Sequence, residues 1–183
     1  MRRKIFALLI AGVIALSYSC SNSGKEYSMG NQIPIDQILQ EQDGTISLDV
    51  DQADTYSDAS NPSDNTAEWN VKVSKSGRFN VWLSSMTNDS TNLNYKDSVR
   101  VSVMDNKSLE ALPSVSKIIG NSTDVSMPYR ADSFIGSLYI RDTGLVSIQV
   151  VSEKILPKKE SSDIHDSKLV SVILTPERME KGL

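Results

Sequence analysis

The chain holds a single cysteine, Cys20, and a single histidine, His165. One cysteine excludes an internal disulfide, and so small a supply of both residues excludes histidine-rich metal clusters and Cys–His nucleophiles. Basic clusters are missing as well, which argues against nucleic acid as a partner, because phosphate binding needs concentrated Lys and Arg. The longest apolar run, residues 5–16, is too short to span a membrane, which takes about 20 residues. The acids are scattered through loops without a motif, so no carboxylate pair can be nominated for glycoside hydrolysis. These gaps lead us to expect a non-catalytic protein.

The N-terminal segment carries the clearest pattern. MRRK precedes IFALLIAGVIAL and then SYSC. A basic start, a short apolar run and a small-residue stop form an export signal. With Cys20 directly after the run, it resembles a bacterial lipoprotein signal, in which the cysteine is lipidated and becomes the new N-terminus. Ser17 stands where that pattern has an aliphatic residue, with Leu16 one place further out; an ordinary secretory signal is the alternative. Loss of Arg2, Arg3 and Lys4 with the signal takes the net charge from −4 to −7. The polar segment SNSGKEYSMGNQ reads as a flexible tether. The expected organisation is a signal peptide over 1–19, a lipidated cysteine and tether over 20–42, a β-domain over 43–176 and a tail over 177–183.

From residue 43 the chain alternates in short segments, the period of half-buried strands. Ile46, Leu48 and Val50, then Val99, Val101 and Val103, then Val146, Ile148 and Val150, then Val170, Val172 and Leu174 each share a face, as do Phe134, Gly136, Leu138 and Ile140. Only 33–42 and 107–120 have room for helical turns. The pattern predicts an all-β, antiparallel sandwich or jelly roll. In AEWNVKVSKSGRFNVWLSS the alternation predicts a hairpin with Val73 opposite Phe79, Val71 opposite Val81 and Trp69 opposite Leu83. A second segment, LYIRDTGLVSIQV (138–150), matches VKVSKSGRFNVWL (71–83) without a gap and superposes Gly144 on Gly77. In this reading Trp82 projects away from the core. It serves either as a platform on an open face or as an anchor beneath a covering segment, 33–42 or 107–120.

The run of ISLDVDQAD, EWNVKVSKSGRFNVWL, GSLYIRDTGLVSIQVV and KLVSVILTP resembles the galactose-binding-like β-sandwich. Within it, the likeness is to carbohydrate-binding modules of families six and thirty-five, often attached to bacterial polysaccharide-degrading enzymes. The resemblance implies a structural calcium held by Asp49 and Asp51 with an acid in the last strand. Val170 occupies that last position, and a solvated polar edge is the alternative reading. Apart from this calcium no cofactor is expected.

Strand alternation places both glycine turns, 74–78 and 141–145, at one end of the sandwich. The long polar connections 51–68, 84–97, 120–133 and 152–167 then gather at the other. Tyr56, Tyr95 and Tyr129 lie in three of them, with Asn92, Asn94, Arg130 and Asp132 alongside. Rings beside amides and ions suit a sugar, whose C–H face stacks while its hydroxyls bond. The tyrosines alternatively plug the loops against the core. The expected function is glycan binding through Tyr56, Tyr95, Tyr129, Arg130 and Asn94, on an exported lipoprotein anchored in the bacterial envelope, at the outer rather than the inner membrane. The competing expectation is a structural or accessory lipoprotein that docks onto envelope proteins.

Overall fold

The computed structural model describes residues 37–103, 107–120, 125–156 and 166–177. The signal segment, Cys20, His165 and most of the tail lie outside them. The described chain belongs to the compact unit Ile33–Leu183. It is built of strands joined by turns and two single-turn 3-10 helices, Val50–Gln52 and Pro62–Asp64.

The strands are β1 (Gln37–Leu39), β2 (Ile46–Asp49), β3 (Asp54–Tyr56), β4 (Thr66–Val73), β5 (Gly77–Thr87), β6 (Val99–Val103), β7 (Lys107–Ala111), β8 (Lys117–Gly120), β9 (Tyr129–Ile140), β10 (Gly144–Val151) and β11 (Ser167–Pro176). One sheet runs β1-β4-β10-β6-β7, with β3 also on β4, and the other runs β2-β11-β5-β9-β8. Every pair is antiparallel except β1 with β4. The β-sandwich expected from the alternation is therefore the observed fold. Strand β1 brings part of the segment read as tether into the six-stranded sheet, and 107–120 forms β7 and β8 instead of helical turns.

The inward residues of the two sheets form one core. Ile46, Leu48, Val71, Val81, Leu83, Val101, Ile148, Val172 and Leu174 are wholly buried there. Branched side chains suit this pleated surface, and each fully buried one contributes about 1.5–3 kcal/mol. Trp69 joins the same core from β4, and its indole N–H donates to the Asp49 carbonyl at 2.8 Å. That bond ties the six-stranded sheet to the end of β2 in the other.

The expected hairpins are arches. β4 lies in one sheet and β5 in the other, so residues 74–76 cross between layers, and residues 141–143 do the same between β9 and β10. Val73 pairs with Gly144, Val71 with Val146 and Trp69 with Ile148, while Phe79 pairs with Leu138. The alternation assigned the buried faces correctly. It could not tell a partner beside a strand from one opposite it, because both arrangements bury the same side chains. The two matching segments thus pair with each other, one arch nested on the other. Both crossings fall at one pole, and the strand ends that flank the long connections fall at the other, as strand alternation implied.

Two bulges break the alternation in the five-stranded sheet. Val81 pairs with Gly136 but Trp82 with Phe134, leaving Ile135 extra in β9; Leu169 pairs with Ser85 but Ser171 with Ser84, leaving Val170 extra in β11. An extra residue shifts every later side chain to the other face. Phe134 consequently leaves the face of Leu138 and Ile140 and stands 45% exposed on the outer surface. There it meets Trp82, with ring centroids 5.1 Å apart and planes at 51°. Trp82 does project outward, but its aromatic neighbour is Phe134. Of the segments proposed to cover it, β1 and β7 belong to the other sheet.

Candidate functional site

The outer face of the five-stranded sheet carries a polar constellation toward the long-loop pole. Ser84 and Asp132 face each other across β5 and β9, and Met86 faces Arg130 one rung pair further on. The Arg130 Nε donates to Ser84 Oγ at 2.6 Å, and that hydroxyl donates to Asp132 Oδ1 at 2.5 Å. Arg130 Nε also lies 3.9 Å from Asp132 Oδ1, and its Nη2 is 3.5 Å from Ser171 Oγ. The guanidinium is thereby oriented by β5 and β11 while its side chain stays 41% exposed.

Beside it opens a cavity of about 530 Å3 bounded by Asp49, Asp51, Gln52, Met86, Ile119, Arg130 and Val170, among others. Local sequence explains the convergence. β2 ends at Asp49 and the 3-10 turn that follows carries Asp51 and Gln52 to the rim. The β11 bulge turns Val170 into the wall. About 7 Å along the strands from the Ser84–Asp132 rung lies the Trp82–Phe134 pair, two residues on at the usual rise. The face therefore offers rings at one end and carboxylates, a guanidinium and an amide at the other.

Among the residues expected to form a site, Asp49, Asp51 and Arg130 meet in this cavity. The others do not join them. Tyr56 lies on β3 at the edge of the other sheet, 62% exposed, beside Asp54, Glu68 and Gln149. Tyr95 is a plug: its ring packs against the core, its hydroxyl shares a hydrogen bond with Ser85 at 2.9 Å, and Lys154 Nζ stands 5.8 Å from the ring centroid. Burial pushes its phenol well above the usual 10.0, partly offset by the Ser85 bond. Tyr129 is half-buried at the start of β9, paired with Thr87 and with Gly120 of the cavity rim. Asn94 adopts a left-handed conformation at φ 52° and its amide N–H donates to Asn92 Oδ1 at 2.9 Å, which is a turn-forming role. In the same loop Asp89 accepts from Thr91 Oγ1 and N, bonds that hold its carboxylate below the ordinary range.

The donor set does not fit the calcium that the resemblance implies. Calcium takes six to eight oxygens as a rule. The cavity supplies Asp49 and Asp51, with Val170 where a third acid is expected and the Arg130 cation in the same lining. No group of three or more acid, His or Cys side chains forms a metal cluster among the described residues. Sequence reasoning missed Trp82 and Phe134 as a pair, because the bulge that unites them carries no residue signature beyond Gly136.

No protein-family model matches the chain, and no curated protein matches it. Solved structures do. An α-L-fucosidase from Vibrio sp. strain EJY3 is similar with a TM-score of 0.58 and 21% identity, over 76% of this chain and 24% of the enzyme. The chain thus spans about a quarter of that enzyme's length, and at this identity the likeness concerns the fold. A GH26-CBM35 β-(1,4)-mannanase from Podospora anserina gives 0.47 at 11% identity, over 76% of this chain and 29% of its own. The Cry4Aa toxin of Bacillus thuringiensis gives 0.46 at 8%, over 79% and 25%.

Proposed function

We propose that the protein is a non-catalytic, lipid-anchored envelope protein whose sandwich binds glycan on the outer face of its five-stranded sheet. One observation carries this reading: the Trp82–Phe134 pair lies in line with the Arg130 network and the Asp49–Asp51 cavity. A saccharide would rest C–H faces on the rings and give hydroxyl hydrogen bonds to the carboxylates and the guanidinium. Such a surface suits a short oligosaccharide lying along the strands. The sandwich it shares with part of an α-L-fucosidase is compatible with a sugar-directed module, although a shared fold does not by itself transfer a function.

Binding is favoured over hydrolysis because Asp49 and Asp51 both stand exposed to water. A glycosidase general acid needs burial to raise its pKa toward neutrality. Export and anchoring through Cys20 follow from the signal-like N-terminus. The test is calorimetric titration of the full-length protein with a panel of neutral oligosaccharides. Arg130→Ala should weaken binding by about tenfold or more, the loss expected for a charge-assisted hydrogen bond, while the melting temperature stays close to that of the parent. A parent that binds no saccharide in the panel rejects the reading.

A further inference from the structure

A second cavity, of about 880 Å3, lies at the opposite pole, where the two arches turn. Its walls are the β1–β2 turn, the crossing 74–78, Tyr139 of β9 and the end of β11 at Pro176 and Glu177. Gln40 fastens the first two together. Its Oε1 accepts from the Ser74 and Lys75 amides at 2.9 and 2.7 Å and from Ser74 Oγ at 3.0 Å. Its Nε2 donates to the Gly44 and Lys75 carbonyls at 2.7 and 3.2 Å. Across the cavity the Glu177 amide donates to the Arg78 carbonyl at 2.8 Å, and Gly44 packs so tightly on Pro176 that an added Cβ would lie 2.7 Å from its Cγ. The walls are thus mutually fixed, so a ligand would meet a preformed shape without first ordering the turns.

The lining has a specific chemistry. Tyr139 is 47% exposed and stands directly across from Arg78 in the β5–β9 register. Pro176 supplies apolar surface, while the Phe79 side chain turns into the core beneath. The charges on the rim balance: Asp43 and Glu177 against Lys75 and Arg78, with Arg78 Nε 2.9 Å from Glu177 Oε2. A charged ligand would meet a like charge as well as an unlike one. A neutral ring with hydroxyls on its edge and C–H groups on its face meets the aromatic side chain, the donors and the acceptors together.

We propose that this cavity is a second saccharide site, in which Tyr139 is the stacking platform, so that one chain binds glycan at both poles. The class of ligand rests on the reading above, but the two sites share no residue. Two sites on one rigid module would bridge neighbouring glycan chains and raise avidity for a polymer over that for a short fragment.

The test is amide-resolved NMR on the full-length protein, titrated separately with cello-, manno- and galacto-oligosaccharides. The amides of Gly44, Gly77 and Tyr139 should shift with at least one of these sugars. Tyr139→Ala should weaken that response about three- to tenfold, the loss of one aromatic contact. Tyr139→Phe should preserve it, and Arg130→Ala should leave it unchanged. If Tyr139→Ala fails to fold, Ser76→Trp, placed on the exposed crossing, closes the mouth and should abolish the response. Amides of Arg130 and Gly120 that move while Gly44 and Gly77 stay still would overturn the second site and leave the first. A Gly77 response undiminished by Tyr139→Ala or Ser76→Trp would overturn it equally, and silence at both poles would reject both sites.

Discussion

Trp82 and Phe134 face each other across β5 and β9 on the outside of the sandwich, their ring centroids 5.1 Å apart. The contact exists because β9 carries one extra residue, Ile135, between Phe134 and Gly136. Without that bulge Phe134 would point inward. A tilted pair of this kind contributes about 0.5–1.5 kcal/mol beyond the area it buries. A double-mutant cycle with Trp82→Ala and Phe134→Ala should return a coupling energy in that range from denaturant midpoints. Strictly additive single losses would show that the rings are neighbours without interaction.

Three glycines test the bulge and the arches together. Gly77, Gly136 and Gly144 hold φ values of 149°, 131° and 111°, which side chains disfavour. A Cβ at Gly77 or Gly144 meets nothing within 4 Å, whereas one at Gly136 lies 2.9 Å from Leu109 Cδ1. Gly77→Ala and Gly144→Ala should therefore cost about 1–3 kcal/mol each from backbone strain alone. Gly136→Ala should cost more, and shortening Leu109 in the same chain should recover part of the difference. Equal losses at all three positions would show that the Leu109 contact carries no energy.

The sandwich was legible in the residues because period-two alternation survives wherever one face is buried. Trp69, Val71 and Val73 and then Phe79, Val81 and Leu83 announced their inward faces correctly. What alternation does not encode is the partner. A strand whose face is buried beside Phe79 and one whose face is buried opposite it read alike, so an arch and a hairpin share one sequence pattern. Ile135 and Val170 were hidden for a related reason, since an extra residue in a bulge changes parity without changing composition. Asp49, Asp51 and Arg130 converge because separate strands end at the same pole, which strand counting does reveal. Tyr95 and Asn94 looked like ligand groups, but a buried phenol and a left-handed turn residue consist of the same residue types.

The anchor proposed for Cys20 has its own test. A lipid chain gives membrane affinity through each buried methylene, about 0.8 kcal/mol apiece, and serine accepts no such chain. Cys20→Ser should move the exported protein from the membrane fraction to the soluble one, and the parent alone should incorporate labelled fatty acid. A serine variant that stays with membranes, alongside an unlabelled parent, rejects lipidation.

Tyr95 should give the fold an alkaline limit. Its neutral phenol packs against the core and shares a 2.9 Å hydrogen bond with Ser85, whose side chain is wholly buried. Burial is the main reason its folded pKa lies above 10.0, and the nearby Glu153 charge pushes in the same direction. In the unfolded chain the phenol ionises near pH 10. Above that pH the folded state retains a proton that the unfolded state has lost, so stability falls as pH rises. The slope is about 1.4 kcal/mol per pH unit, and below pH 10 the contribution is present in full. Tyr95→Phe should cost about 1 kcal/mol at pH 7, because the Ser85 hydroxyl loses its partner, yet it should flatten the decline above pH 10. Urea midpoints measured from pH 8 to pH 11 for both proteins separate the two effects. A phenylalanine variant that loses stability with pH as steeply as the parent would place the alkaline limit elsewhere in the chain.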